Sequence, residues 1–155
     1  MIEGFEYVDK NVDTICGTMA IFAKMYAEQK HSTVYRGLAE AFSTPSYRNM
    51  FDSFHLTRMD CSRKRYIQRM CEMYNMEVTK IGRPDKDVQY LAYLTFRFAF
   101  FFKVDAELIA RDWYEYNFYK EIEENAEDIR NRDLHEWIIM TNADLMKKRQ
   151  YKVLE

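Results

Sequence analysis

The stretch "AEQKHSTVYRGLAEAFSTPSYRNMFDSFHLTRMDCSRKR", Ala27 to Arg65, decides how the chain folds. It enters on an apolar spacing of three and four that begins near Phe5 and passes through Ile15, Met19, Phe22, Met25, Tyr35, Leu38 and Phe42. That spacing lines one face of a helix and predicts a first helix from about Phe5 to Phe42. "FSTPSY" ends it. Thr44 is placed to cap the next element, and Pro45 sits at its first position, where the missing N–H costs nothing. A second helix then runs to about Tyr74 through Met50, Phe51, Phe54, Leu56, Ile67 and Met70. The stretch therefore reads as the turn and arms of a helical hairpin.

Working outward, "NMEVTKIGRPDKD" (Asn75–Asp87) is the only long connection, marked by Gly82, Pro84 and Asp85. A third helix is expected from about Val88 to Asn125, a turn at "AEDIRNRD", and a fourth helix carrying Leu134, Trp137, Ile138, Ile139, Leu145 and Met146. The second pair resembles the first. With a shift of 84 residues Tyr35 meets Tyr119, Glu40 meets Glu124, Asp60 meets Asp144, Lys64 meets Lys148 and Arg65 meets Arg149. Leu38 meets Ile122, Phe54 meets Ile138, and Glu28 meets Asp112. The connection can extend to roughly 40 Å, about the length of one such helix. The expected architecture is an all-α four-helix bundle of two hairpins joined by a long crossover, one domain over residues 1–155.

Composition agrees with that class. Of 155 residues 48% are hydrophobic and 31% charged, the profile of a globular domain with one core. Four glycines and two prolines are too few for the turns of an all-β fold. Eleven Phe, twelve Tyr and two Trp supply bulk for a helical core. A formal charge of −2 gives no global reason to expect nucleic acid or an anionic membrane as partner. Cys16, Cys61 and Cys71 form no CxxC, which argues against a zinc site or disulfide framework and for buried thiols in a reducing compartment. The N-terminus carries acids where a signal peptide carries bases. The most apolar run, Tyr90–Ala110, contains Arg97, Lys103 and Asp105 and falls short of a spanning helix. A cytoplasmic protein without a membrane segment is expected.

"EQKHSTVYRGLAEAFSTPSYRNMFDSFHLTRMDC" resembles the first hairpin of ferritin-like proteins, especially short rubrerythrin-like ones, and "DWYEYNFYKEIEENAEDIRNRDLHEWIIMTNADL" resembles the second. Together these segments make up about half of the chain, Ala27–Arg65 and Arg111–Arg149. Such proteins hold two metal ions with one Glu from each of two helices and Glu-x-x-His from each of the other two. The resemblance places the lone carboxylates at Glu28 and Asp112. Glu28 falls in the row Ile21–Met25–Glu28–Ser32–Tyr35–Leu38, and Asp112 in the row Ile109–Asp112–Tyr116–Tyr119–Ile122; both stripes are expected to face inward.

The remaining ligands depart from the pattern. The Glu-x-x-His positions fall on Arg58 and Cys61 in the second helix and on Asn142 and Leu145 in the fourth. Arg58 offers a guanidinium where a cation would sit, able to meet two carboxylates. The expectation is a non-catalytic scaffold or protein-binding module with a buried Glu28–Arg58–Asp112 network that Asn142 and Cys61 adjoin, and no cofactor. One competing reading has these residues leaning to the surface in ordinary solvated pairs; the other is a dinuclear iron or manganese oxidoreductase using Glu28, Asp112, His31 and His55, with Tyr35 and Tyr119 nearby.

Other features carry less chemistry. His31, His55 and His135 stand on separate elements in polar or mixed surroundings, and no nucleophile–base constellation or glycine-rich phosphate loop is present. Met70, Met73 and Met76 read as core filling. The basic clusters Arg63–Arg69 and Lys147–Lys152 fall toward helix C-termini, where they meet the helix dipole, and at opposite ends of the bundle, which disfavours a continuous groove for nucleic acid. Phe96, Phe98, Phe100, Phe101 and Phe102 cover more than one face of the third helix. Since a helix needs one stripe to pack on its own bundle, the surplus points to a second surface: the segment from Phe5 to Val12 or, in preference, a second copy in a homodimer.

Overall fold

The computed structural model describes residues 5–44 and 62–148, and every regular element among them is a helix. In order these are α1 Phe5–Gln29, α2 Val34–Phe42, α3 Ser62–Met73, α4 Lys86–Phe102, α5 Ala106–Glu115, α6 Phe118–Glu124, α7 Ala126–Asn131 and α8 Leu134–Lys148. The all-α expectation holds. The continuity of the helices does not: the helix expected over Phe5–Phe42 is two, and the one over Val88–Asn125 is three.

Backbone geometry explains why periodicity missed the breaks. His31, Asn75, Lys103 and Asn117 have φ of 51°, 52°, 54° and 57°, in the left-handed region. At three of them the chain closes a six-residue C-terminal cap. Ser32 N–H donates to the Ala27 carbonyl (3.0 Å), Met76 N–H to Cys71 (2.9 Å) and Val104 N–H to Ala99 (3.0 Å). Glycine is the usual occupant of that position; here His, Asn and Lys take it, and only the break at Asn75 coincides with an expected helix end. Side-chain caps start the following helices: Thr33 Oγ1 accepts from Arg36 N–H, Asp85 from Asp87 and Val88, and Asp105 from Glu107.

After its break the chain folds α2 back along α1, and the two helices approach closely at Gly37. A Cβ built there would lie 2.5 Å from the Ala23 carbonyl oxygen. α3 runs beside α1 in the same direction. Arg63 near its start donates to Thr18 Oγ1 (3.1 Å) and to the Thr14 carbonyl (3.3 Å), while Tyr74 just past its end packs edge-on to Tyr26 at 5.6 Å. The long connection then returns along α1. The Gln29 side-chain amide donates to the Glu77 carbonyl (2.7 Å) and accepts from the Glu77 N–H (2.9 Å), and Asp85 comes within 3.9 Å of Lys24.

α1 is the centre of the core, packed by α2, α3 and α4, with α5 covering α2 and α4. Ile15, Met19, Phe22, Leu38, Phe42 and Ile67 are fully enclosed. Cys16 and Cys71 are free and buried, and burial pushes both thiols up. The surplus apolar face of α4 is largely consumed within the chain. Phe96, Phe98 and Phe102 are buried, Phe98 meeting the Trp113 ring at 5.2 Å, and Phe101 is half-buried between Phe102 and His135. Of the five phenylalanines assigned to a dimer interface, Phe100 alone is exposed, at 44%. α4 lies between α1 on one side and α5 and α6 on the other, which is why it needs two apolar faces. Among the described residues no helix is long and apolar enough to cross a membrane.

Candidate functional site

Two of the helix breaks are related by the sequence repeat. α2 begins at Val34 after Thr33, and α6 begins at Phe118 after Asn117, so both the starts and the preceding residues differ by 84. The second residue of each helix is a tyrosine. The rings of Tyr35 and Tyr119 stack, with centroids 6.4 Å apart and planes within 12°. Beside them a cleft of about 390 Å³ opens between the two breaks. Ser32, Thr33 and Tyr35 line it from the first break. Trp113, Asn117 and Lys120 face them from the second, together with Tyr114 and Tyr119.

Each wall has a distinct polar character. Tyr119 is fully buried, and its hydroxyl lies 2.6 Å from Thr95 Oγ1. The Thr95 hydroxyl donates to the Leu91 carbonyl at 2.8 Å, so its single proton is committed and Tyr119 is the donor between them. Burial holds the Tyr119 phenol well above its ordinary range. Tyr35 is half-buried, and its hydroxyl donates to Glu123 Oε2 at 2.5 Å. Desolvation first, then the carboxylate it bonds, raises its pKa to about 12.

Trp113 forms the floor. It is fully enclosed, with Phe98, Phe118, Tyr119 and Trp137 edge-on to it at centroid distances of 5.2, 5.2, 5.6 and 6.2 Å. Those rings offer no acceptor. Its Nε1–H is the one buried side-chain polar atom without a hydrogen-bond partner among the described residues. An unmet buried donor costs about 1–3 kcal/mol, and the residues lining the adjoining cleft include no acid.

No protein-family model, curated protein or solved structure matches the chain. The site therefore rests on its own geometry.

Of the residues expected to form a metal-derived network, Glu28, Asp112 and Asn142 fall within the described residues. Asp112 is buried on α5 at 2% exposure. Glu28 is exposed in the last turn of α1, so it shares no buried site with Asp112. The inward stripe drawn through Glu28, Ser32 and Tyr35 assumed a continuous helix, and the reversal at Lys30–Thr33 removes it. Asn142 is half-buried on α8. Arg58, Cys61 and His55 lie outside the described residues. His31 is exposed, at the left-handed cap that closes α1. Among the described residues no three His, Cys, Asp or Glu side chains are grouped so as to hold an ion.

Sequence reasoning did find Tyr35 and Tyr119 as a pair. It missed Trp113, Thr95 and Lys120. It also missed Arg97, which is buried at 3% exposure, donates through Nε to the Tyr93 hydroxyl at 2.9 Å and lies 5.0 Å over that ring. The available signal for the cleft was Asn117, a residue that tolerates the left-handed region, directly before a repeat of the pattern that begins at Val34.

Proposed function

We propose that the chain is a non-catalytic binding module built from two related helical hairpins. Its ferritin-like resemblance resides in the duplicated pattern, and its di-metal ligands have given way to an aromatic and hydroxyl network. The observation that carries this reading is the composition of the core where the two repeats meet. Tyr35 and Tyr119 stack there, Tyr119 bonds Thr95, and among the described residues Asp112 is the only buried acid. A dinuclear centre in a helical bundle draws several carboxylates and imidazoles to one level to neutralise its cations. Aromatic rings and hydroxyls at that level favour rigidity and recognition instead.

A protein partner or second copy belongs to the same proposal, as does a cytoplasmic location. Exposed apolar side chains at Phe100, Ile139 and Met140 support a partner. The reading is tested by metal analysis of the purified native protein, with Asp112→Asn alongside. Stoichiometric iron or manganese, lost in the Asn variant, overturns it in favour of the dinuclear oxidoreductase; light scattering across protein concentration reports the second copy.

A further inference from the structure

We infer that the basic face of α3 docks on a second copy of this chain, at the acidic groove that α6, α7 and α8 form. The inference deepens the binding-module reading by naming the partner and its two faces. It rests on the protein-partner part of that reading and not on the fate of the metal ligands.

α6, α7 and α8 leave between them a hollow of about 200 Å³, below the roughly 300–1,000 Å³ that encloses a small organic molecule. Its size suits side chains of another protein. Glu121, Asp128 and Asp144 line it, together with Met140, which is 45% exposed and has Ile139, 50% exposed, beside it. Glu124 and Glu127 stand on an adjoining shoulder that shares Asn125 and Asp128 with the groove. All five acids are exposed. Arg132 is paired with Asp128 at 3.3 Å, and Arg130 is drawn to Asp87 at 3.0 Å. Glu124, Glu127 and Asp144 have no ion-pair partner among the described residues.

α3 carries the opposite surface. Lys64, Arg65, Gln68, Arg69, Glu72 and Met73 are exposed, at the spacing that lines one face of a helix. Three bases stand there against one acid. Lys64, Arg65 and Arg69 also have no ion-pair partner among the described residues, and Met73, 52% exposed, ends the stripe. Unpaired bases beside an exposed methionine thus complement unpaired acids beside an exposed methionine and isoleucine. Within one chain the two surfaces lie apart, because α3 packs on α1 and α6 packs on α4 and α5. A second copy brings them together. The formal charge of −2 gives no general attraction to a polyanion that would compete for α3.

Exposed charge pairs contribute little singly and act mainly on partner choice and encounter. Met73, Ile139 and Met140 add apolar burial. The contact is expected to be weak, with Kd on the order of 10–100 µM at low salt, and to be screened as ionic strength rises.

Light scattering of the full chain across protein concentration tests the inference. At about 25 mM NaCl the mass is expected to rise above that of the monomer with concentration, and at about 500 mM NaCl the association is at least roughly tenfold weaker. Two charge-reversed proteins carry the decision, one with Arg65→Glu and Arg69→Glu, the other with Glu124→Lys and Glu127→Lys. Each alone presents two faces of like sign and stays monomeric. Their equimolar mixture associates about as tightly as the unaltered chain, since each reversed face meets its complement on the other protein. Far-ultraviolet circular dichroism checks the fold of both. For a pair that does not fold, the single change Arg69→Glu or Glu127→Lys takes its place, each expected to weaken association roughly threefold. An unaltered chain that stays monomeric at every concentration overturns the inference. So does association that salt leaves unchanged or that survives both reversals, which assigns the contact to another surface, and so does a mixture that stays monomeric. A monomeric chain that shifts a mixed-sequence DNA duplex, and loses the shift with Arg65→Glu and Arg69→Glu, assigns the α3 face to nucleic acid instead. The loss of the metal site is judged separately, by metal content, and stands or falls whatever the mass.

Discussion

Tyr35 and Tyr119, 84 residues apart in sequence, stack with their ring centroids 6.4 Å apart and their planes within 12°. They hold equivalent places, second in the short helices that restart after repeat-related breaks. Their polar ends differ: Tyr35 reaches an exposed carboxylate at Glu123, whereas Tyr119 reaches a buried hydroxyl at Thr95.

That difference predicts unequal effects of removing each hydroxyl. Tyr119→Phe leaves Thr95 Oγ1 bonded to Leu91 but deprives it of a donor in a dry surrounding, and about 1 kcal/mol of stability is expected to go. Tyr35→Phe acts at a solvated rim, and a change within about 0.5 kcal/mol is expected. Urea denaturation of both variants measures the contrast. A loss in Tyr35→Phe as large as that in Tyr119→Phe contradicts the burial argument.

Alkaline pH acts on the same groups. The ordinary tyrosine pKa is near 10; in the folded chain Tyr35 is raised to about 12, and Tyr74 and Tyr119 are raised further, chiefly by desolvation. Between about pH 10 and 12 the folded state thus retains protons that the unfolded chain has released. The stabilisation is complete below pH 10 and is lost as pH rises through the folded values. Midpoints of denaturation are expected to fall steadily above pH 10. Absorbance at 295 nm should show a late group of tyrosines ionising only with unfolding, and titration of all twelve as one group near pH 10 in the folded protein counts against it.

What the sequence disclosed, and what it concealed, divides along one physical line. Apolar spacing marks the face a helix buries, and it correctly placed Ile15, Met19, Phe22, Leu38 and Phe42 in the core. The same spacing persists across a reversal when both helices bury the same side, so Phe5–Phe42 read as one helix. The missed breaks are encoded by backbone conformation at His31 and Lys103, residue types with no strong turn signature, and at Asn117, whose tolerance of the left-handed region is a signal that periodicity does not read. The stripe through Glu28 failed with the helix that defined it. The repeat, in contrast, is blind to helix continuity, and it pairs Tyr35 with Tyr119 whether or not their helices are broken.

The left-handed caps offer a stabilising change. Lys103 has φ 54° and ψ 41°, closing α4 with its N–H directed to the Ala99 and Phe100 carbonyls, and its side chain is exposed. An L-residue there carries a steric cost of about 1–2 kcal/mol that glycine avoids, partly offset by the extra freedom glycine gains when unfolded. Lys103→Gly is expected to raise stability by about 0.5–1 kcal/mol, and Lys103→Ala to give no gain, in thermal denaturation. A loss in the glycine variant means that the Lys103 side chain, not its backbone, secures the α4–α5 junction.

At Gly37 the opposite holds, because the constraint is space and not φ. α2 lies so close on α1 that a methyl at Gly37 would meet the Ala23 carbonyl oxygen at 2.5 Å, its Cα at 2.7 Å and its carbonyl carbon at 2.9 Å. All three are backbone atoms of a helix, so no side chain can swing aside and the helices must separate. Gly37→Ala would gain about 1 kcal/mol from helix propensity alone, yet overpacking of this kind costs about 1–3 kcal/mol or more, and the clash dominates. Net destabilisation of about 2 kcal/mol is expected from urea denaturation. Because Tyr35 stands two residues before the contact on the same short helix, parting the helices also shifts its ring relative to Tyr119, so the variant should change the near-ultraviolet circular dichroism of the folded protein. A Gly37→Ala protein of unchanged or increased stability removes the close α1–α2 approach as the reason glycine stands there.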